Sequence, residues 1–74
     1  MRLETVARAY TACVELEEKL RRESPELADE AAELRADLHA LLMEALRQAN
    51  IPFADRSAAA HIAFDITQGK RKIA

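Results

Sequence analysis

The chain has 74 residues, a net charge of −2, half of its residues hydrophobic and about a third charged. That balance excludes a disordered acidic or basic tail and leaves room for one folded domain. It has one Gly, two Pro, no Trp and three aromatic residues, and is rich in Ala, Leu, Glu and Arg, all strong helix formers. A chain this short buries only about 60% of its unfolded surface, so its own core is thin and a partner copy is expected. The single Cys13 forbids an internal disulfide and fits a reducing compartment, so a cytoplasmic location is expected. Glu4 and Arg8 interrupt any early apolar run, against a signal peptide, and no stretch is long and apolar enough for a membrane helix.

The first predicted element is a helix over 3–23. It gathers Leu3, Val6, Ala7, Tyr10, Cys13, Val14 and Leu20 on one broad face. Glu15, Glu17 and Glu18 each stand four residues before a cation, the favourable order for helix-stabilising pairs. Lys19, Arg21 and Arg22 then fall in the last turn, where positive charge suits the helix dipole. A break follows at 22–26. Ser24 is a suitable N-cap and Pro25 a suitable first helical residue.

The second element is a helix over 25–49. Leu27, Ala31, Leu34, Leu38, Leu41, Ala45 and Gln48 recur at steps of four and three, close to a heptad seam. The short link forces the two helices antiparallel. That seam predicts Leu20 near Leu27, Cys13 near Leu34 and Tyr10 near Leu38, with Leu34 and Leu38 in the core and Glu33 and Asp37 in solvent. Each helix also carries a second apolar strip: Ala9, Ala12, Leu16 and Leu20 on the first, and Ala32, Leu42, Met43 and Leu46, with His39 among them, on the second. A two-helix hairpin needs one buried stripe per helix, so the surplus asks for more helices. Asn50, suited to the left-handed conformation, and Pro52 end this element.

The third element, over 55–68, admits two patterns. As a helix capped by Asp55 or Ser57 it aligns Ala59, Ile62, Ala63 and Ile66, leaving Phe64 on the other side. As a strand it alternates Ile62, Phe64 and Ile66. The run Ala58-Ala59-Ala60 favours helix, and a lone strand has nothing to pair with. Gly69 ends it, and 69–74 form a basic tail with Lys70, Arg71 and Lys72.

Candidate chemistry is sparse. Cys13 sits on the core face, where a thiol is a poor nucleophile. Glu17 interrupts the apolar face of the first helix. With Arg35 across the hairpin it could form a polar seam that fixes register. A metal-binding bundle would need Glu-x-x-His on facing helices, and neither His39 nor His61 has a carboxylate three residues before it. The histidines read as a surface and a helix-flank residue. Glu30, Glu33, Asp37 and Glu44 make an acidic stripe, by default a solvated face. No phosphate loop, cofactor turn, nucleophile triad or zinc spacing occurs, so neither an enzyme nor a cofactor is expected.

Residues 1–74 are therefore expected to form a single all-α domain, an antiparallel hairpin of two long helices plus a shorter third, dimerising into a helical bundle. The expected function is that of a non-catalytic interaction module, a small oligomeric adaptor or regulator with itself and an unidentified protein as partners. Phe64, Lys70, Arg71 and Lys72 are its candidate partner-binding residues, because an aromatic beside basic groups is common at binding hot spots. The alternative is a small nucleic-acid-binding regulator using the basic tail, and a weaker one is a metal-binding bundle centred on Glu17.

Overall fold

The structure, a computed structural model, describes residues 2–70. Three helices follow one another, α1 (Leu3–Glu23), α2 (Pro25–Gln48) and α3 (Arg56–Thr67), and the described residues contain no strand. The ambiguous third segment is thus helical throughout.

Local chemistry accounts for each boundary. The Ser24 N–H donates to the Leu20 carbonyl at 2.7 Å, closing α1, and the Ser24 carbonyl accepts from the Ala28 N–H at 3.0 Å, opening α2. One extended residue therefore joins the two helices. The Ser24 hydroxyl caps nothing, contrary to expectation, while Pro25 occupies the first turn, where its missing N–H goes unused. At the end of α2, Asn50 takes the left-handed conformation (φ 59°). Its N–H reaches the Arg47 carbonyl and the Ile51 N–H the Leu46 carbonyl, the paired bonds of a Schellman stop. Gly69 (φ 75°) ends α3 the same way, with Lys70 N–H on the Asp65 carbonyl at 2.8 Å. The Asp55 carboxylate opens α3 by accepting from the Ala58 N–H at 2.8 Å.

Partners descend α2 as they ascend α1: Tyr10 stacks on His39, and Arg21 bonds Asp29. Helix α3 lies across one side of this pair. Its start is tied to α2 through the His39 ring and the Arg56 carbonyl (2.9 Å), and its end to α1 through Thr11 and Thr67 (3.1 Å between hydroxyls). The core is the junction of all three helices, made by Leu3, Ala7, Tyr10, Leu42, Ala45, Leu46, Ala59, Ile62, Ala63 and Ile66. Leu42 and Leu46 are its largest fully enclosed side chains. Towards the Ser24 turn, where α3 does not reach, α1 and α2 meet through Cys13, Ala28 and Ala31.

This arrangement exchanges the two predicted stripes of α2. Leu42, Leu46 and His39, read as a secondary strip, are buried, whereas Leu27, Leu34 and Leu41 of the predicted seam are outside. The seam is split lengthwise: Ala31 and Ala45 are buried and Leu38 is half-buried, while the leucine column beside them remains in solvent. The cause is α3. A residue that touches both α1 and α3 loses more apolar surface to water than one that touches α1 alone, so α2 turns Leu42 and Leu46 into the three-way junction. Cys13 accordingly lies against Ala31, its thiol donating to that carbonyl at 3.4 Å, and not against Leu34. Glu33 and Asp37 are exposed, on the side expected of them.

Candidate interaction surface

Four large leucines are roughly half exposed: Leu27 at 55%, Leu34 at 52%, Leu16 at 46% and Leu41 at 45%. They share one face. At about 100° per helical residue, Leu34 and Leu41 lie roughly 140–160° around α2 from His39, which marks the side taken by α3. Leu16 and Leu20 lie roughly 140–180° around α1 from Thr11, the other contact of α3. Both leucine sets therefore face away from α3, where a shallow groove runs between Leu16, Leu20, Leu27 and Leu34, with Ala31 at its floor and Glu30 at its rim.

The contrast with the interior is one of size. The α1–α2 contact near the turn buries alanines and one cysteine, and the leucines of the same turns stay in water. Small residues let the two helices approach closely, and close approach squeezes the longer side chains at the margin outwards. An isolated exposed leucine is unremarkable, but a contiguous apolar patch on a small protein marks an interaction site.

The rim of this face is charged asymmetrically. Along α2 it carries Glu30, Glu33 and Asp37, all exposed; among the described residues none of the three has an ion-pair partner, whereas Glu44 pairs with Arg47 at 3.6 Å. Along α1 it is mixed, with Arg8, paired with Glu4, and Lys19 on the same side as the exposed Glu15 and Glu23.

Glu17 and Arg35 lie together between α1 and α2, and Glu17 also accepts from Arg21 at 3.2 Å, which in turn donates to Asp29 at 2.8 Å. Burial pushes the Glu17 carboxyl upwards, but the hydrogen bonds and charges of Arg21 and Arg35 outweigh it and hold the group below its ordinary value. Asp29 and Glu17 raise Arg21 in the same way. Each acid has a basic partner, so the cluster ties α1 to α2 near the turn and leaves no free acid or base for chemistry. The Cys13 thiol is pushed up, chiefly by burial, with Arg35 opposing, which makes it a weaker nucleophile than an exposed thiol.

His39, expected at the surface, is buried. Its ring stacks on Tyr10 with centroids 5.3 Å apart. One ring nitrogen, Nε2, meets the Arg56 carbonyl and the other, Nδ1, meets the Arg56 guanidinium at 3.3 Å. A neutral ring with its proton on Nε2 satisfies both contacts, donating to the carbonyl and accepting from the guanidinium. His39 therefore docks α3. Phe64, expected to stand free of the helical packing, is half-buried against the core with its ring edge-on to Tyr10, centroids 6.4 Å apart. Of the basic residues, Lys70 is exposed, and Arg71 and Lys72 lie outside the described residues.

Among the described residues no three His, Cys, Asp or Glu side chains are grouped so as to hold a metal ion, and no helix is long and apolar enough to cross a membrane. A scan against protein-family models and searches of curated proteins and of solved structures found no match to this chain.

Proposed function

We propose that the protein is a non-catalytic interaction module, a small oligomeric adaptor or regulator, in which α1 and α2 form an antiparallel hairpin whose leucine face is the contact surface. The observation that carries this is the inversion of side-chain size: Leu16, Leu27, Leu34 and Leu41 are in solvent while Ala28 and Ala31 fill the contact behind them. A domain selected only for its own stability would enclose its leucines, each worth about 1.5–3 kcal/mol when buried. A face kept apolar at that cost serves association. The contact surface of this proposal is the α1–α2 layer and not Phe64, whose ring already supports Tyr10. The absence of a catalytic motif in the sequence supports a binding role, and the lone Cys13 supports a reducing, cytoplasmic setting.

The test is replacement of Leu27 and Leu34 together by Gln. Neither side chain fills the core, so the variant is expected to keep its helical circular dichroism and to lose concentration-dependent association. Loss of helicity in that variant, at a concentration where the wild type is monomeric, would show that the leucines serve the fold instead.

A further inference from the structure

We infer that His39 is a proton-sensitive catch for α3: the neutral ring holds the helix, and a second proton weakens its hold. The ring is buried, and both of its nitrogens are engaged by Arg56, the first residue of α3. Nε2 lies 2.9 Å from the Arg56 carbonyl and Nδ1 3.3 Å from the Arg56 guanidinium. A guanidinium can only donate. Nδ1 is therefore the bare, accepting nitrogen, and Nε2 carries the proton that the carbonyl accepts. One neutral form of the ring alone satisfies both contacts.

A proton added at Nδ1 undoes this arrangement twice. The ring loses the lone pair that the guanidinium uses, and an imidazolium is set beside a second cation, where like charges repel. No surrounding group offsets this. From α1 the ring faces Tyr10, stacked on it with centroids 5.3 Å apart, a phenol that is uncharged where histidine titrates. Its own helix places Arg35 about one turn earlier, a further cation, engaged with Glu17. From α3, Asp55 is committed to the Ala58 N–H. Among the described residues no carboxylate pairs with the ring. Release of α3 removes both Arg56 contacts and returns the ring to water, which accommodates either form. Docking and proton uptake therefore oppose each other. The docked ring holds one proton and the released ring takes a second in acid, so stability present at neutral pH is lost as pH falls. What loosens is the junction of Leu42, Leu46, Ile62 and Ile66. It lies on the other side of the α1–α2 pair from the leucine face, so the catch and the interaction reading fail separately.

Urea unfolding of the full chain tests this. Between about pH 7.5 and about pH 5.5 the folding constant should fall about tenfold, the uptake of one proton around a free histidine's midpoint of about 6.5. Carboxylates titrate below that window. Amide hydrogen exchange, corrected for its intrinsic pH dependence, should show the protection of α3 falling by the same factor. His39→Gln should abolish the fall, because its amide keeps a donor for the carbonyl and an acceptor for the guanidinium but takes up no proton. His61→Gln, at the other histidine of the chain and an exposed one, should leave the fall intact, which decides the matter should His39→Gln fail to fold. A folding constant that holds across the range, a fall that His39→Gln retains or His61→Gln removes, or α3 protection that ignores pH would each overturn the catch.

Discussion

The two ends of the α1–α2 pair use the same helices and bury different things. At the α3 end, Leu42 and Leu46 are enclosed by three helices, with Tyr10, Ile62 and Ile66 around them. At the turn end, two helices meet through Cys13, Ala28 and Ala31, and the leucines of those turns remain half in water. One end has a core and the other has half of one. The difference teaches that helix number decides which apolar stripe is buried: a third helix turns the larger residues inwards, and where it stops the helices close on their small residues. What is left outside at the turn end is an uncovered leucine face.

The largest effects should come from the completed end. Leu42→Ala or Leu46→Ala should cost about 2–5 kcal/mol in denaturant unfolding, through lost burial and the cavity left behind. His39→Ala should cost about 1–3 kcal/mol, because it removes the ring's hydrogen bond to the Arg56 carbonyl and the ring stacked on Tyr10; equal stability would mean that α3 docks without it. Asn50→Ala should cost about 1–2 kcal/mol, the penalty for holding an ordinary residue in the left-handed conformation, while Asn50→Gly should be tolerated.

At the turn end the expected changes are smaller and of another kind. Glu17 has a folded-state value held below its unfolded one. Its contribution is therefore present above the unfolded value and is lost as pH falls through the folded value. In Glu17→Gln the acid side of the stability profile should be shallower, with little change in its alkaline side; an unchanged acid limb would detach Glu17 from the stability of the fold. Smallest of all, Leu34→Ala should change the unfolding free energy of the dilute monomer by no more than about 0.5 kcal/mol. A loss comparable with that of Leu42→Ala would erase the distinction between the two ends.

Much of the all-helical character is legible in the sequence, because it rests on local signals: helix-forming composition, Pro25 in a first turn, Asp55 as a cap, Asn50 and Gly69 at left-handed stops. The rotation of α2 is not. The steps from Leu27 to Ala45 follow a heptad as well as any buried seam, and nothing local says which side of that seam α1 will take. That choice is made by Ile62, Ala63 and Ile66, which reach Leu42 and Leu46 only through tertiary packing. The Glu17–Arg35 contact was visible as a polar interruption of an apolar face. His39 was not, since its partners, Tyr10 and the Arg56 backbone, are distant in sequence. The leucine face could have been found by asking which stripe of α2 a third helix would claim, and leaving the remainder in solvent.

The most direct test of the account follows leucine methyl signals by nuclear magnetic resonance in the presence of a soluble paramagnetic agent, across a dilution series. The account predicts that Leu42 and Leu46 methyls stay protected at every concentration. The methyls of Leu16, Leu27, Leu34 and Leu41 should be bleached in the dilute protein and become protected together as concentration rises. Protection of these four at all dilutions, bleaching of Leu42 and Leu46, or four leucines that stay bleached in concentrated protein would each contradict it.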